Sequence, residues 1–157
     1  MAPRDGGTMI IAATGILVRR VHHLGILAAD LDATLLFYRE VLGLRGGEPH
    51  DAPEHDIRAV LLQGGGSAIE LFAPLRADGP IARALAKRGP GLHHVCYEVT
   101  DIDAALAHCR AHDVRLIDAA ARPGLHAGWR VAFLHPSACG GVLTELVEIT
   151  EPLADEE

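Results

Sequence analysis

VHHLGILAADLDATLLFYREVLG (Val21–Gly43) and LHHVCYEVTDIDAALAHCRAHDV (Leu92–Val114) decide the fold, because they are one pattern written twice. Aligned without gaps at an offset of 71 residues, His22 meets His93, His23 meets His94, Asp30 meets Asp101 and Asp32 meets Asp103. Leu31, Ala33, Leu35 and Arg39 meet Ile102, Ala104, Leu106 and Arg110. Beyond small loop insertions, IRAVLL from Ile57 parallels WRVAFL from Trp129, and AIELF from Ala68 parallels LTELV from Leu143. A pattern kept through four segments indicates a duplicated module.

Each module reads as βαβββ. An apolar, β-rich strand comes first (21–28 and 92–99). An aspartate in an N-cap setting then opens an amphipathic helix (31–42 and 102–112). Gly43 is a helix stop for the first of these. Short strands follow over 57–63 and 68–73 in the first module, and over 114–118, 130–135 and 142–149 in the second. Turn-rich segments such as QGGGS and HPSACGG separate them. Between the modules GPIARALAKRGPG predicts a linking helix over 79–89, with Pro80 at its first position and Gly89-Pro90 at its end. The expected organisation is an N-terminal extension (1–19), one domain over 20–150 and an acidic tail (151–157). The domain divides into module one, 20–75, the linking helix, and module two, 91–150. The apolar run Met9–Val18 is far shorter than a membrane span of about 20 residues.

Composition narrows the partners. Hydrophobic residues make up 49% of the chain, enough for a core without disulfide staples. A formal charge of −7 argues against nucleic acid and anionic membrane, which are bound through clustered Lys and Arg. It leaves room for an anionic small molecule held in a local cationic pocket. Three cysteines are a sparse and odd set, so a reducing, cytoplasmic setting is expected.

Side chains alternate across a strand. By that rule His23, Gly25 and Leu27 share one face and His22 the other, while His94, Cys96 and Glu98 oppose His93, Val95 and Tyr97. Each HH pair should therefore split. Glu70 and Glu145 sit among apolar neighbours at equivalent places in the two copies. A single buried histidine is usually a satisfied core residue, and a single strand glutamate usually faces solvent. Four such residues coinciding under one duplication suit a site of two imidazoles and two carboxylates, since buried charge needs a partner or a metal.

These features resemble the vicinal oxygen chelate superfamily, which includes glyoxalase I, extradiol dioxygenases and the methylmalonyl-CoA epimerases. VHHLGILAADLDATLLFYREVLGL carries the superfamily resemblance. GPIARALAKRGPGLHH and the FLHP…GGVL…EL ending are more specific to the epimerase family, and the likeness runs from about Arg20 to Glu148. The resemblance implies an α+β fold, with paired βαβββ modules forming a cupped, incompletely closed eight-stranded sheet around a metal site. It places one divalent metal on His23, Glu70, His94 and Glu145, with Co²⁺ favoured, and N₂O₂ donors suit Zn²⁺, Ni²⁺, Mn²⁺ and Fe²⁺ as well. It implies a homodimer, with His23 and His94 pointing into the cup and His22 and His93 packing outside.

The activity implied is a metal-dependent epimerase inverting C2 of methylmalonyl-CoA, or a related 2-acyl-CoA, through a metal-stabilised enolate. Glu145 is the first choice for the group that moves the proton. Its opposite number is open among Glu70, Glu98 and a metal-bound water, because Ala59 stands where some family members carry a carboxylate. Glu98 also reads as a charge at the rim of the cup. His135, in FLHP, is a candidate substrate contact or a turn-stabilising residue. His50, His55, His108 and His112 read as surface residues, and Arg83, Lys87 and Arg88 as a solvated helix face. The alternatives are a glyoxalase-type isomerase acting on a thiol adduct and a non-catalytic small-molecule-binding module of the same fold.

Overall fold

Asp30 and Asp101 open equivalent helices in the two halves. The carboxylate of Asp30 accepts the Ala33 N–H at 3.0 Å and that of Asp101 accepts the Ala104 N–H at 2.9 Å. Each satisfies one of the donors that a helix start leaves unpaired. The computed structural model describes residues 16 and 18–151, so most of the expected N-terminal extension and acidic tail lies outside the described residues. The chain runs β1 (Val18–Leu27), α1 (Leu31–Leu36), β2 (Arg45–Gly46), β3 (His50–Ala52), β4 (Ile57–Gln63) and β5 (Ala68–Pro74). It continues through α2 (Pro80–Arg88), β6 (Gly91–Val99), α3 (Ile102–Ala111), β7 (Arg122–Pro123), β8 (Trp129–Leu134) and β9 (Thr144–Ile149).

The strands form one sheet in the order β2-β4-β5-β1-β6-β9-β8-β7, with β3 alongside β4. The order is symmetric about its centre. In each half the first strand pairs parallel with the last, β1 with β5 and β6 with β9, and the halves meet antiparallel through β1 and β6. This is the α+β, curled eight-stranded arrangement expected from the duplication, with β3 added beside it. The histidine-bearing strands are therefore central neighbours, flanked by the glutamate-bearing ones.

Strand alternation builds two layers of core. On β4, Val60 and Leu62 face α1 and pack with Leu31, Leu35 and Leu71. Ala59 and Ile57 face the other way, toward Leu27 and Phe72 and against Ile81 and Leu85 of α2. In the second half Ile102, Leu106 and Cys109 of α3 cover Ala132, Leu134 and Leu146. Helices α1 and α3 thus close the outer face of each module, while α2 packs on the inner face, where Ile81 joins Ile57 and Phe72 on the wall of the shared cup.

Three local expectations change. The segment 114–118 is not a strand: Leu116 makes an isolated bridge to Leu134, and the Asp118 carboxylate accepts the Phe133 N–H at 2.8 Å. That side chain takes a bond a pairing strand would offer from its backbone. Pairing resumes with β7, where Arg122 lies opposite Val131. The helix expected over 31–42 is α-helical only to Leu36 and continues as a π turn, Phe37–Val41. The short strands β2 and β3 carry too little apolar periodicity to be read from sequence. Among the described residues no helix is long and apolar enough to cross a membrane.

Leu106 is 1% exposed at the centre of the α3 contact. Leu106→Ala is expected to destabilise the chain by about 2–5 kcal/mol in urea unfolding. A change below about 1 kcal/mol would contradict the packing described.

Candidate metal centre and active site

Alternation holds along most of the sheet but fails at both histidine doublets, and this is where the site is made. In the β1–β6 ladder Val21 lies opposite Tyr97 and His23 opposite Cys96, which leaves His22 as an extra residue on β1. Two residues further along, Gly25 lies opposite His94 and Ile26 opposite Leu92, which leaves His93 as an extra residue on β6. A β-bulge sets two residues against one and re-aims the side chain. Both rings of each doublet consequently lie on the cup side. His22 meets Trp129 edge-on at 4.9 Å between ring centroids, and His93 meets Phe72 edge-on at 5.0 Å. The expectation that His22 and His93 pack on the outer face is corrected by these bulges.

The inner rings converge across the centre of the sheet. His23 Nε2 and His94 Nε2 are 3.2 Å apart. Glu145 Oε2, from β9, lies 3.3 Å from the first and 3.0 Å from the second. Glu70, from β5, stands further back, with Oε2 at 3.6 Å from His23 Nε2 and Oε1 at 3.8 Å from His94 Nε2. All four residues are buried. Metal–ligand bonds of about 2.0–2.2 Å put neighbouring donors about 3.0–3.5 Å apart. His23, His94 and Glu145 have that spacing, so the donor set can hold a divalent cation, with Glu70 poised as a further carboxylate.

Electrostatics favour the same use. Burial opposes the charge on Glu145, but the His23 and His94 imidazoles beside it outweigh the burial and hold its carboxyl well below the usual range. Burial pushes the Cys96 thiol up, with Glu145 and Glu70 adding to the effect, so Cys96 stays protonated and is no nucleophile. Burial, helped by His94 and Arg88, lowers His93 to about 4 and keeps it neutral.

A cavity of ≈ 120 Å³ opens onto these groups. Its walls include Glu70, His94 and Glu145, apolar side chains such as Phe72 and Phe133, and two residues unforeseen in the sequence, His55 and Arg122. His55 is therefore not a plain surface residue. It ends a 3₁₀ turn, Pro53–His55, and its Nδ1 accepts from Arg122 Nη1 at 3.2 Å across the two modules. A guanidinium cannot accept, so the neutral His55 ring carries its hydrogen on Nε2. That atom is buried with no hydrogen-bond partner among the described residues. Gly25 is a further unforeseen requirement: a Cβ there would fall 2.1 Å from the His94 ring.

Other candidates lie apart. His135 caps the turn Pro136–Ala138, its Nδ1 accepting the Ser137 N–H at 3.1 Å, and it is not among the cavity walls. Glu98 is buried rather than at the rim, and Arg20 Nε donates to it at 2.6 Å. Arg83, Lys87 and Arg88 border a separate open hollow on α2.

The chain's relatives agree with this architecture. The Glyoxalase/Bleomycin resistance protein/Dioxygenase superfamily model matches residues 22–133, and the chain belongs to that superfamily. The mitochondrial methylmalonyl-CoA epimerase of Bos taurus is 42% identical over 128 residues, covering 81% of this chain and 73% of that one. The crystal structure of methylmalonyl-CoA epimerase from Mycobacterium tuberculosis superposes with a TM-score of 0.81 at 39% identity, over 93% of this chain and 97% of the other. A variant of the Streptomyces coelicolor epimerase in complex with 2-nitronate-propionyl-CoA superposes with a TM-score of 0.76 at 38% identity, over 86% and 99%. Within the superfamily the chain is thus an epimerase-like isomerase.

Gly25→Ala is expected to displace the His94 ring and to destabilise the chain by about 1–3 kcal/mol, as overpacking does. Urea unfolding measures the second effect and the His94 imidazole resonances the first. Unshifted resonances would contradict the close approach of the two strands.

Proposed function

We propose that the chain inverts C2 of methylmalonyl-CoA, or of a related 2-acyl-CoA, with one divalent metal ion held by His23, Glu70, His94 and Glu145. The observation that carries this reading is the convergence of two imidazole nitrogens and the Glu145 carboxylate within 3.0–3.3 Å, with His94 and Glu145 on the wall of a cavity. The epimerases among its relatives support the substrate class. Co²⁺ as the working ion and a homodimer belong to the same reading.

C2 lies between a thioester and a carboxylate, and removing its proton builds charge on the thioester oxygen. A bound divalent cation supplies a Lewis acid for that charge and a template for the two oxygen groups. The chain does the rest. Glu145 is ionised at neutral pH, and the ionised form is the one able to take a proton. The same neighbours that keep it ionised weaken it as a base, so acidification of C2 must supply most of the driving force. Arg122 offers positive charge on the cavity wall, and His55 offers a fixed N–H donor for a carboxylate oxygen. Phe72, Val131 and Phe133 keep the reacting carbon in apolar surroundings, where such contacts are stronger.

Supplied with Co²⁺, the chain is expected to exchange the C2 hydrogen of methylmalonyl-CoA in D₂O and to interconvert its epimers. His94→Ala removes both activities together with Co²⁺ binding. A metal-loaded wild type that leaves this hydrogen in place contradicts the epimerase reading and leaves the fold untouched.

A further inference from the structure

The two doublets share one geometry. His22 Nδ1 and His23 Nδ1 are 2.8 Å apart, with ring centroids at 5.1 Å and planes at 81°. His93 Nδ1 and His94 Nδ1 are 2.8 Å apart, with centroids at 5.1 Å and planes at 85°. Each outer ring is also fixed by an aromatic from the other module. Trp129 meets His22 at 89° and Phe72 meets His93 at 86°. Either contact alone could be a consequence of packing. The same contact made twice, through two separate bulges and against two different aromatics, has the marks of a device.

We infer that His22 and His93 are positioning residues, each accepting the Nδ1–H of the adjacent inner histidine so that its Nε2 lone pair faces the metal site. The inference rests on the metal centre proposed above. A histidine that binds through Nε2 must carry its neutral hydrogen on Nδ1, and that hydrogen needs an acceptor. In both copies the atom found there is the Nδ1 of the preceding histidine. One side chain thereby fixes both the tautomer and the rotation of its neighbour. The acceptor role uses the lone pair of the outer ring's Nδ1, and in both copies that atom stands 2.8 Å from the inner ring's Nδ1. The bulges explain why the pair can be consecutive in sequence: a regular strand would send the two rings to opposite faces. HH is thus a ligand and its support written side by side.

The test compares His93→Leu, which keeps apolar bulk and removes the acceptor, with His93→Asn, whose side-chain oxygen can take the place of Nδ1. Both are read by Co²⁺ titration and by NMR of the Co²⁺-loaded chain. In the wild type two far-shifted imidazole N–H resonances, lost in D₂O, are expected, one from each inner histidine. His93→Leu is expected to weaken Co²⁺ binding roughly 10- to 100-fold and to lose the His94 resonance to solvent exchange. His93→Asn is expected to restore the resonance and most of the affinity. A His93→Leu chain that keeps wild-type affinity and both resonances overturns the positioning role while the metal centre stands. Equal weakening in the two variants, with no rescue by Asn, also overturns it. A wild type that binds no Co²⁺ overturns the metal centre and this inference together.

Discussion

The candidate site depends on a pair of β-bulges. Strands β1 and β6 lie side by side at the centre of the sheet, and a regular ladder would give each doublet one ring in the cup and one outside. One extra residue at each doublet turns both rings inward, so four imidazoles gather where alternation would supply two. The space this demands comes from Gly25, where any side chain would occupy the place of the His94 ring. The duplicated module then adds one carboxylate from each last strand, β5 and β9. Parallel pairing of first and last strands within each half puts Glu70 beside β1 and Glu145 beside β6. The geometry of the centre is therefore set by backbone pairing, with the side chains following.

Much of this was legible in the sequence because duplication leaves a signal stronger than local propensity. The repeated HH, the aspartate N-caps and the matched IELF and TELV strands gave the modules, their order and the four inward residues. What escaped depends on information that a period-2 pattern does not contain. A bulge adds a single residue and leaves the apolar pattern of the strand almost unchanged, so strand alternation puts His22 and His93 on the wrong face. His55 lies in EPHDAPEHD, a polar stretch that looks like a surface loop. Only the fold brings it to Arg122, 67 residues away. The Val, Leu and Ile of 114–118 predict a strand, but the pairing there is irregular: Ile117 and Asp118 N–H both donate to Phe133 O, while the Phe133 N–H goes to the Asp118 side chain.

Charge and burial are in tension in such a cup. Glu145 is buried, which favours the protonated form, and the two imidazoles beside it tip the balance to the carboxylate. Cys96, on the same face, has no comparable donor and stays a thiol. Nitrogen and oxygen are the donors that His23, His94 and Glu145 offer a cation between β1 and β6. Such a donor set suits Lewis-acid chemistry on a substrate bearing two oxygen groups.

X-ray absorption at the metal edge of the Co²⁺-loaded chain tests the central claim most directly. One bound ion is expected, its nearest neighbours nitrogen and oxygen only, with the outer-shell scattering of two imidazole rings, from His23 and His94. A sulfur neighbour, which would put the ion among His22, His23 and Cys96 instead, or the scattering of fewer than two imidazoles, would contradict it.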